Sequence, residues 1–146
     1  MRTRKRVAST IGAMLMLAAF AVPQHAGAAG TPAIVSGPGS WLTTYTQPVI
    51  AISPGDKVQY YNLDAMPHDV IADVSKSGGS HTRPDDSAIW CSFFPSGSCP
   101  LFWSALIPVA QNTPVLGLED AVPGTVYDFY CSIHGGMFGK LVVLPA

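Results

Sequence analysis

Short runs in which apolar and polar residues alternate, each closed by glycine or proline, follow one another along most of the chain. The clearest covers residues 125–131, where Tyr127, Phe129 and Cys131 share one face and Val126, Asp128 and Tyr130 the other. That period of two is the mark of a strand with one dry face. Asp128 labels the wet side, so Cys131 points inward at the strand's end. Read in the same way, residues 41–46, 48–52, 57–62, 68–74, 101–106, 113–118 and 139–144 are further strands. Few stretches carry apolar residues at helical spacing for three turns. Ser53-Pro54-Gly55-Asp56 and Val122-Pro123-Gly124-Thr125 place proline second and glycine third in a turn, just ahead of two of the strands. The pattern predicts an all-β fold of two packed sheets.

Two segments break the pattern. Residues 1–28 begin with Arg2, Arg4, Lys5 and Arg6, continue through an apolar stretch at 7–22, and end in Ala26-Gly27-Ala28. This is the layout of a cleaved signal peptide, with cleavage expected after Ala28. The stretch is short of the about 20 apolar residues that span a bilayer, so membrane attachment is expected only if the segment is retained. The second break, at about 75–100, holds Ser77-Gly78-Gly79-Ser80, Arg83-Pro84-Asp85-Asp86 and two cysteines, and reads as a long loop insertion. Residues 29–146 then form a single domain, since 118 residues suffice for one core and not for two ordinary ones.

Charge changes once the leader is set aside. Residues 1–28 hold four of the eight Lys and Arg and none of the nine Asp and Glu, so the remainder carries a net charge of −5. Only Lys57, Lys76, Arg83 and Lys140 are left, which makes no basic stripe and excludes nucleic acid as a partner. An exported chain also meets an oxidising compartment. There Cys91 and Cys99, separated by seven residues, are expected to close a disulfide, which leaves Cys131 free.

What Cys131 is free for is indicated by its neighbours. Tyr130-Cys131-Ser132-Ile133-His134-Gly135-Gly136-Met137 puts a thiolate, an imidazole and a thioether within seven residues, and Met66-Pro67-His68-Asp69-Val70 offers a second imidazole. Two nitrogens and one sulfur with a weak axial thioether are the donor set of a blue copper electron-transfer site. Taken singly, Cys131 and Met137 could be core packing and His68 a satisfied polar residue. Together they point to one copper ion, with glycines 135 and 136 expected to let the loop curl so that His134 and Met137 converge. His81 has no partner ligand at a recognisable spacing.

These residues, with Pro123-Gly124 through Phe129-Tyr130 before them and Gly139-Lys140-Leu141-Val142-Val143 after, closely resemble the cupredoxins, and among them the small plastocyanin and amicyanin group. The resemblance covers most of residues 48–74 and 113–145. It implies an eight-stranded Greek-key β-sandwich with a mononuclear type 1 copper at one end, ligated by His68, Cys131, His134 and, axially, Met137. It implies also an electron carrier, not an enzyme, that alternates between Cu(I) and Cu(II) and serves redox partner proteins in the periplasm or outside the cell. Docking is expected at the His134 end, within an apolar rim of Met66, Pro67, Gly135, Gly136 and Phe138. Copper delivery, storage or resistance is the alternative use of such a fold. Where the family commonly has Asn after the upstream histidine, this chain has Asp69. A carboxylate can only accept, so Asp69 is expected to take bonds from the Ser132 hydroxyl or amide.

Overall fold

The structure, a computed structural model, describes residues 30–76 and 99–146. The leader at 1–28, His81, Cys91 and most of the 75–100 insertion lie outside the described residues. Seven strands are present among those described: β1 (Ala33–Ser36), β2 (Val49–Ile52), β3 (Val58–Asn62), β4 (Ile71–Ala72), β5 (Gln111–Val115), β6 (Val126–Cys131) and β7 (His134–Val143). They form two sheets, ordered β1-β3-β5 and β2-β7-β6-β4. From β1 to β6 the chain changes sheet at every step, and only β6 and β7 form a hairpin within one sheet. The fold is a cupredoxin-like β-sandwich.

Its core follows from the alternation read in the sequence. Along β6 Tyr127, Phe129 and Cys131 are buried, while Val126 is exposed and Asp128 and Tyr130 half-buried. From Met137 onward β7 repeats the pattern, with Met137, Gly139, Leu141 and Val143 inward. Ile34, Tyr60, Ile50 and Ile52 meet them from the other strands. Around Phe129 the rings of Tyr45 and Phe102 stand edge-on, with centroids 4.9 and 6.4 Å away. Such edge-to-face contacts add to the burial of the rings themselves. Both proline–glycine turns form: Gly55 and Gly124 take φ of 84° and 77°, and the amides of Asp56 and Thr125 donate to the carbonyls of Ser53 and Val122.

The structure departs from the expected strands and loops in several places. Residues 41–46 are not a strand; a 3-10 turn at Ser40–Leu42 follows Gly39, whose φ is 82°. The Gly39 and Trp41 amides, which a ladder would have used, bind the Asp64 carboxylate instead. The preceding strand β1, parallel to β3, was not visible in the pattern. Glycines 135 and 136 do not curl through left-handed backbone; they lie in β7, which starts at His134 itself, paired with Cys131 across a register shift.

Residues 101–106, expected as a strand, make isolated bridges. Trp103 exchanges bonds with Leu116, beside β5, while the Phe102 carbonyl accepts from Ala72 and the Ser104 amide donates to Val70, beside β4. The segment thus serves one edge of each sheet, and Ile107 then exchanges bonds with His68.

Candidate metal centre

Two loops at one end of the sandwich carry the chemistry. Cys131 ends β6 and His134 begins β7, so only Ser132 and Ile133 separate thiol from imidazole. His68 arrives from the opposite side, fixed through both backbone groups to Ile107, its amide donating at 3.1 Å and its carbonyl accepting at 3.0 Å. The Nδ1 atoms of His68 and His134 lie 3.6 and 3.5 Å from Cys131 Sγ. All three donor atoms fall within 4.8 Å of one another. Bonds of about 2.0–2.1 Å to nitrogen and about 2.3 Å to sulfur, opened to tetrahedral or trigonal angles, separate N and S by about 3.5–3.8 Å. The trio therefore has the spacing of ligands to one ion. Met137, fully buried in the same core cluster as Cys131, is the first inward residue of β7.

Burial and charge fit that reading. Cys131 is 1% exposed. Desolvation pushes its thiol up to about 11, against the pull of the Asp69 and Ile133 backbone amides. A thiolate here needs a cation beside it. His134 is a poor source of it: burial and the neighbouring His68 both hold it below the ordinary histidine value. Their rings, with centroids 4.5 Å apart, would repel if both were protonated. A buried sulfur facing two imidazole nitrogens is a cradle for a thiophilic metal ion.

Hydrogen bonds join the two loops. The Ser132 amide donates to Asp69 Oδ1 at 2.7 Å and its hydroxyl to Oδ2 at 2.6 Å. Tyr45 donates its phenol to the Asp69 carbonyl at 2.5 Å. Of the expected rim, Met66, Pro67, Gly135, Gly136 and Phe138 are all exposed, and His134 is half-buried among them. Of the expected disulfide, Cys99 is buried and Cys91 lies outside the described residues.

Reading the sequence alone missed Asp64. Its Oδ2 is 2.9 Å from His68 Nε2, with both side chains almost fully buried. Burial by itself would raise this carboxyl, but bonds from His68 and from the amides of Gly39, Trp41 and Ala65 outweigh it and hold the group at about 2. Asn62 was missed too: it donates to the carbonyls of Met66 and Ile107 and accepts from the Asp64 amide. The only trace in the sequence is an acid four residues before a histidine.

Known proteins are similar to this chain. The model of the copper binding proteins of the plastocyanin/azurin family matches residues 35–144. A plastocyanin from Synechococcus sp. (strain JA-2-3B'a(2-13)) is 28% identical over 127 residues, covering 86% of this chain and 82% of that protein. Among solved structures, a purple cupredoxin from Nitrosopumilus maritimus superposes with a TM-score of 0.52 at 21% identity, over 77% of this chain and 98% of that one. Oxidised amicyanin with a Pro-to-Gly substitution gives 0.51 at 24% identity, over 82% and 87%. These two likenesses concern the fold. With the family match spanning both ligand loops and the donors gathered at one point, the chain belongs to the plastocyanin/azurin family of copper-binding cupredoxins.

Proposed function

We propose that the protein is an exported carrier of single electrons, with His68, Cys131 and His134 as the strong copper ligands and Met137 as the axial one. The observation that carries the reading is the buried Cys131 sulfur with an imidazole Nδ1 at 3.5 and 3.6 Å on either side. Copper, when bound, supplies the one-electron Cu(II)/Cu(I) couple. The chain's part is to hold its donors still. Cys131 is fixed by β6, His68 by its two bonds to Ile107 and by Asp64, and the two loops by Asp69 and Ser132. Donors that move little between oxidation states keep the rearrangement that slows electron exchange small.

His68 is wholly enclosed, whereas His134 reaches the surface, so its ring edge is the route for electrons. The exposed Met66, Pro67, Ile133 and Phe138 around it would shed water against a partner protein. Cupredoxins pass electrons to redox partner proteins, and the three histidines after residue 28 are too few to hold the additional copper ions of a multicopper oxidase, which favours a carrier over an enzyme. We place the protein in the periplasm or outside the cell on the strength of residues 1–28, with Cys91 and Cys99 joined as a disulfide. Copper delivery is the second reading. Spare Met and His donors, which delivery sites favour, are few in this chain after residue 28, and that weighs against it.

The test is to load the purified protein with Cu(II), record its absorption, and follow reduction and reoxidation. Intense blue colour with rapid exchange is expected. No such colour with Cys131 reduced would refute the ligand set, and tight Cu(I) binding with sluggish exchange would favour delivery. Gly136→Glu should slow transfer to the natural partner with the colour intact; an unchanged rate would remove the docking role of this rim.

A further inference from the structure

Asp64 has no place in the ligand set, yet it is more fully engaged than a loop carboxylate needs to be. Oδ1 accepts from the amides of Gly39 at 3.0 Å and Ala65 at 2.8 Å; Oδ2 accepts from Trp41 at 3.1 Å and faces His68 Nε2 at 2.9 Å. Three backbone donors pin the group so that it cannot swing away from the imidazole. A neutral imidazole carries one proton, and the nitrogen that binds a metal must be bare. Since an ionised carboxylate only accepts, the proton belongs on Nε2, and Nδ1 is left open toward Cys131 Sγ.

The same contact sets a charge. Side chains at 68 and 64 are 0% and 2% exposed, so little water screens the anion from whatever His68 binds. A fixed negative charge one imidazole away favours the more positive of two oxidation states. We propose that Asp64 is a positioning residue of the copper site, holding His68 in its Nε2–H form with Nδ1 toward Cys131 and keeping the reduction potential low. This rests on the ligand assignment above. Asp64 also anchors the turn Ser40–Leu42, which brings the exposed Trp41 and Leu42 beside the ligand end. Thr44, just beyond, donates its hydroxyl to the Phe138 carbonyl. Loss of stability in an Asp64 variant therefore would not identify the role, and the test must read the imidazole and the copper directly.

Asp64→Asn preserves size but turns one oxygen into a donor. With that amide toward His68, the ring must accept at Nε2 and carry its proton on Nδ1, in competition with the metal. Asp64→Glu keeps an acceptor-only carboxylate, and Asp128→Asn removes a surface charge whose partner is Lys140. The experiment is nitrogen-resolved NMR of His68 in the purified chain before copper loading, and the midpoint potential after it. Expected are Nε2–H in the unaltered protein and in Asp64→Glu, and Nδ1–H in Asp64→Asn. With it should come a shift of about tenfold toward Cu(I), or about 59 mV upward for one electron. An unmoved tautomer or potential in Asp64→Asn, or an equal rise in Asp128→Asn, overturns the proposal. If the unaltered protein binds Cu(II) without intense colour, the ligand assignment falls and takes this inference with it. That failure is told apart because it precedes any substitution.

Discussion

Replacing Asp69 by alanine cuts the tie between the two ligand loops. Asp69 follows His68 and Ser132 follows Cys131, so the two bonds between them, at 2.7 and 2.6 Å, set the separation of imidazole and sulfur. A hydrogen bond to a charged group contributes about 1.5–3 kcal/mol. Asp69 is 4% exposed, so the bond it accepts from the Ser132 amide counts nearly in full. Ser132 itself is half-buried, and water can replace what its hydroxyl loses, which leaves about 1 kcal/mol for the second. The sum, about 2.5–4 kcal/mol, is a large share of the about 5–15 kcal/mol that stabilises a domain.

Asp69→Asn makes the contrast. Its carbonyl still accepts from the Ser132 amide, and its NH2 donates to a Ser132 hydroxyl turned to accept. Stability should stay within about 1 kcal/mol of the original, while the lost negative charge raises the reduction potential. Urea unfolding of the copper-free proteins measures the first quantity, and voltammetry of the loaded ones the second. A double-mutant cycle with Ser132→Ala isolates the hydroxyl bond. If Asp69→Ala costs less than about 1 kcal/mol, or if the alanine and asparagine variants behave alike, the tie does not hold the loops and the reasoning fails.

Other sites give sharper or simpler outcomes. Gly139→Ala would put a methyl 2.3 Å from Phe129 Cζ, inside a ring already hemmed by Tyr45 and Phe102; overpacking of this kind costs about 1–3 kcal/mol, read as a lower urea midpoint. Asp64 is held at about 2, below its ordinary 3.8. A depressed carboxyl stabilises fully above its unfolded value and loses this as pH falls through the folded one. The advantage of the original protein over Asp64→Asn should therefore shrink by about 2 kcal/mol between pH 4 and pH 2, measured by urea unfolding without copper. Met137→Leu conserves volume and should cost less than about 1.5 kcal/mol. The blue colour should persist and the potential should rise, because the axial donor tunes it; an unmoved potential would reduce Met137 to packing.

What could be read from the sequence was local. Tyr127, Phe129 and Cys131 announce β6 because burial and pleat share a period of two, and the turns at Gly55 and Gly124 follow from residues adjacent in the chain. Cys131, His134 and Met137 stand close enough together to be seen as a set, and His68 joins them by chemistry. Asp64 could not be seen, since its meaning lies in amides 25 and 23 residues away. For the same reason residues 41–46, rich in strand-forming side chains, looked like a strand: the donors that turn them aside belong to a tertiary bond. The start of β7 at His134 was hidden because Gly135 and Gly136 carry no pattern and lie where the register against β6 shifts.

That start has a further consequence. Met137 is the first inward position of a strand whose next inward positions are Gly139, Leu141 and Val143, so the thioether is in phase with the core. The ladder between β6 and β7 runs to Tyr130 and Phe138, and Gly135, Gly136 and Met137 fall in the register shift between that pair and Cys131–His134. A one-residue slip of the paired part would send Lys140 inward and Leu141 out to water, so the sheet fixes both ends of the donor stretch. Between those ends the chain is free of the ladder, and its length can suit the metal without disturbing the scaffold.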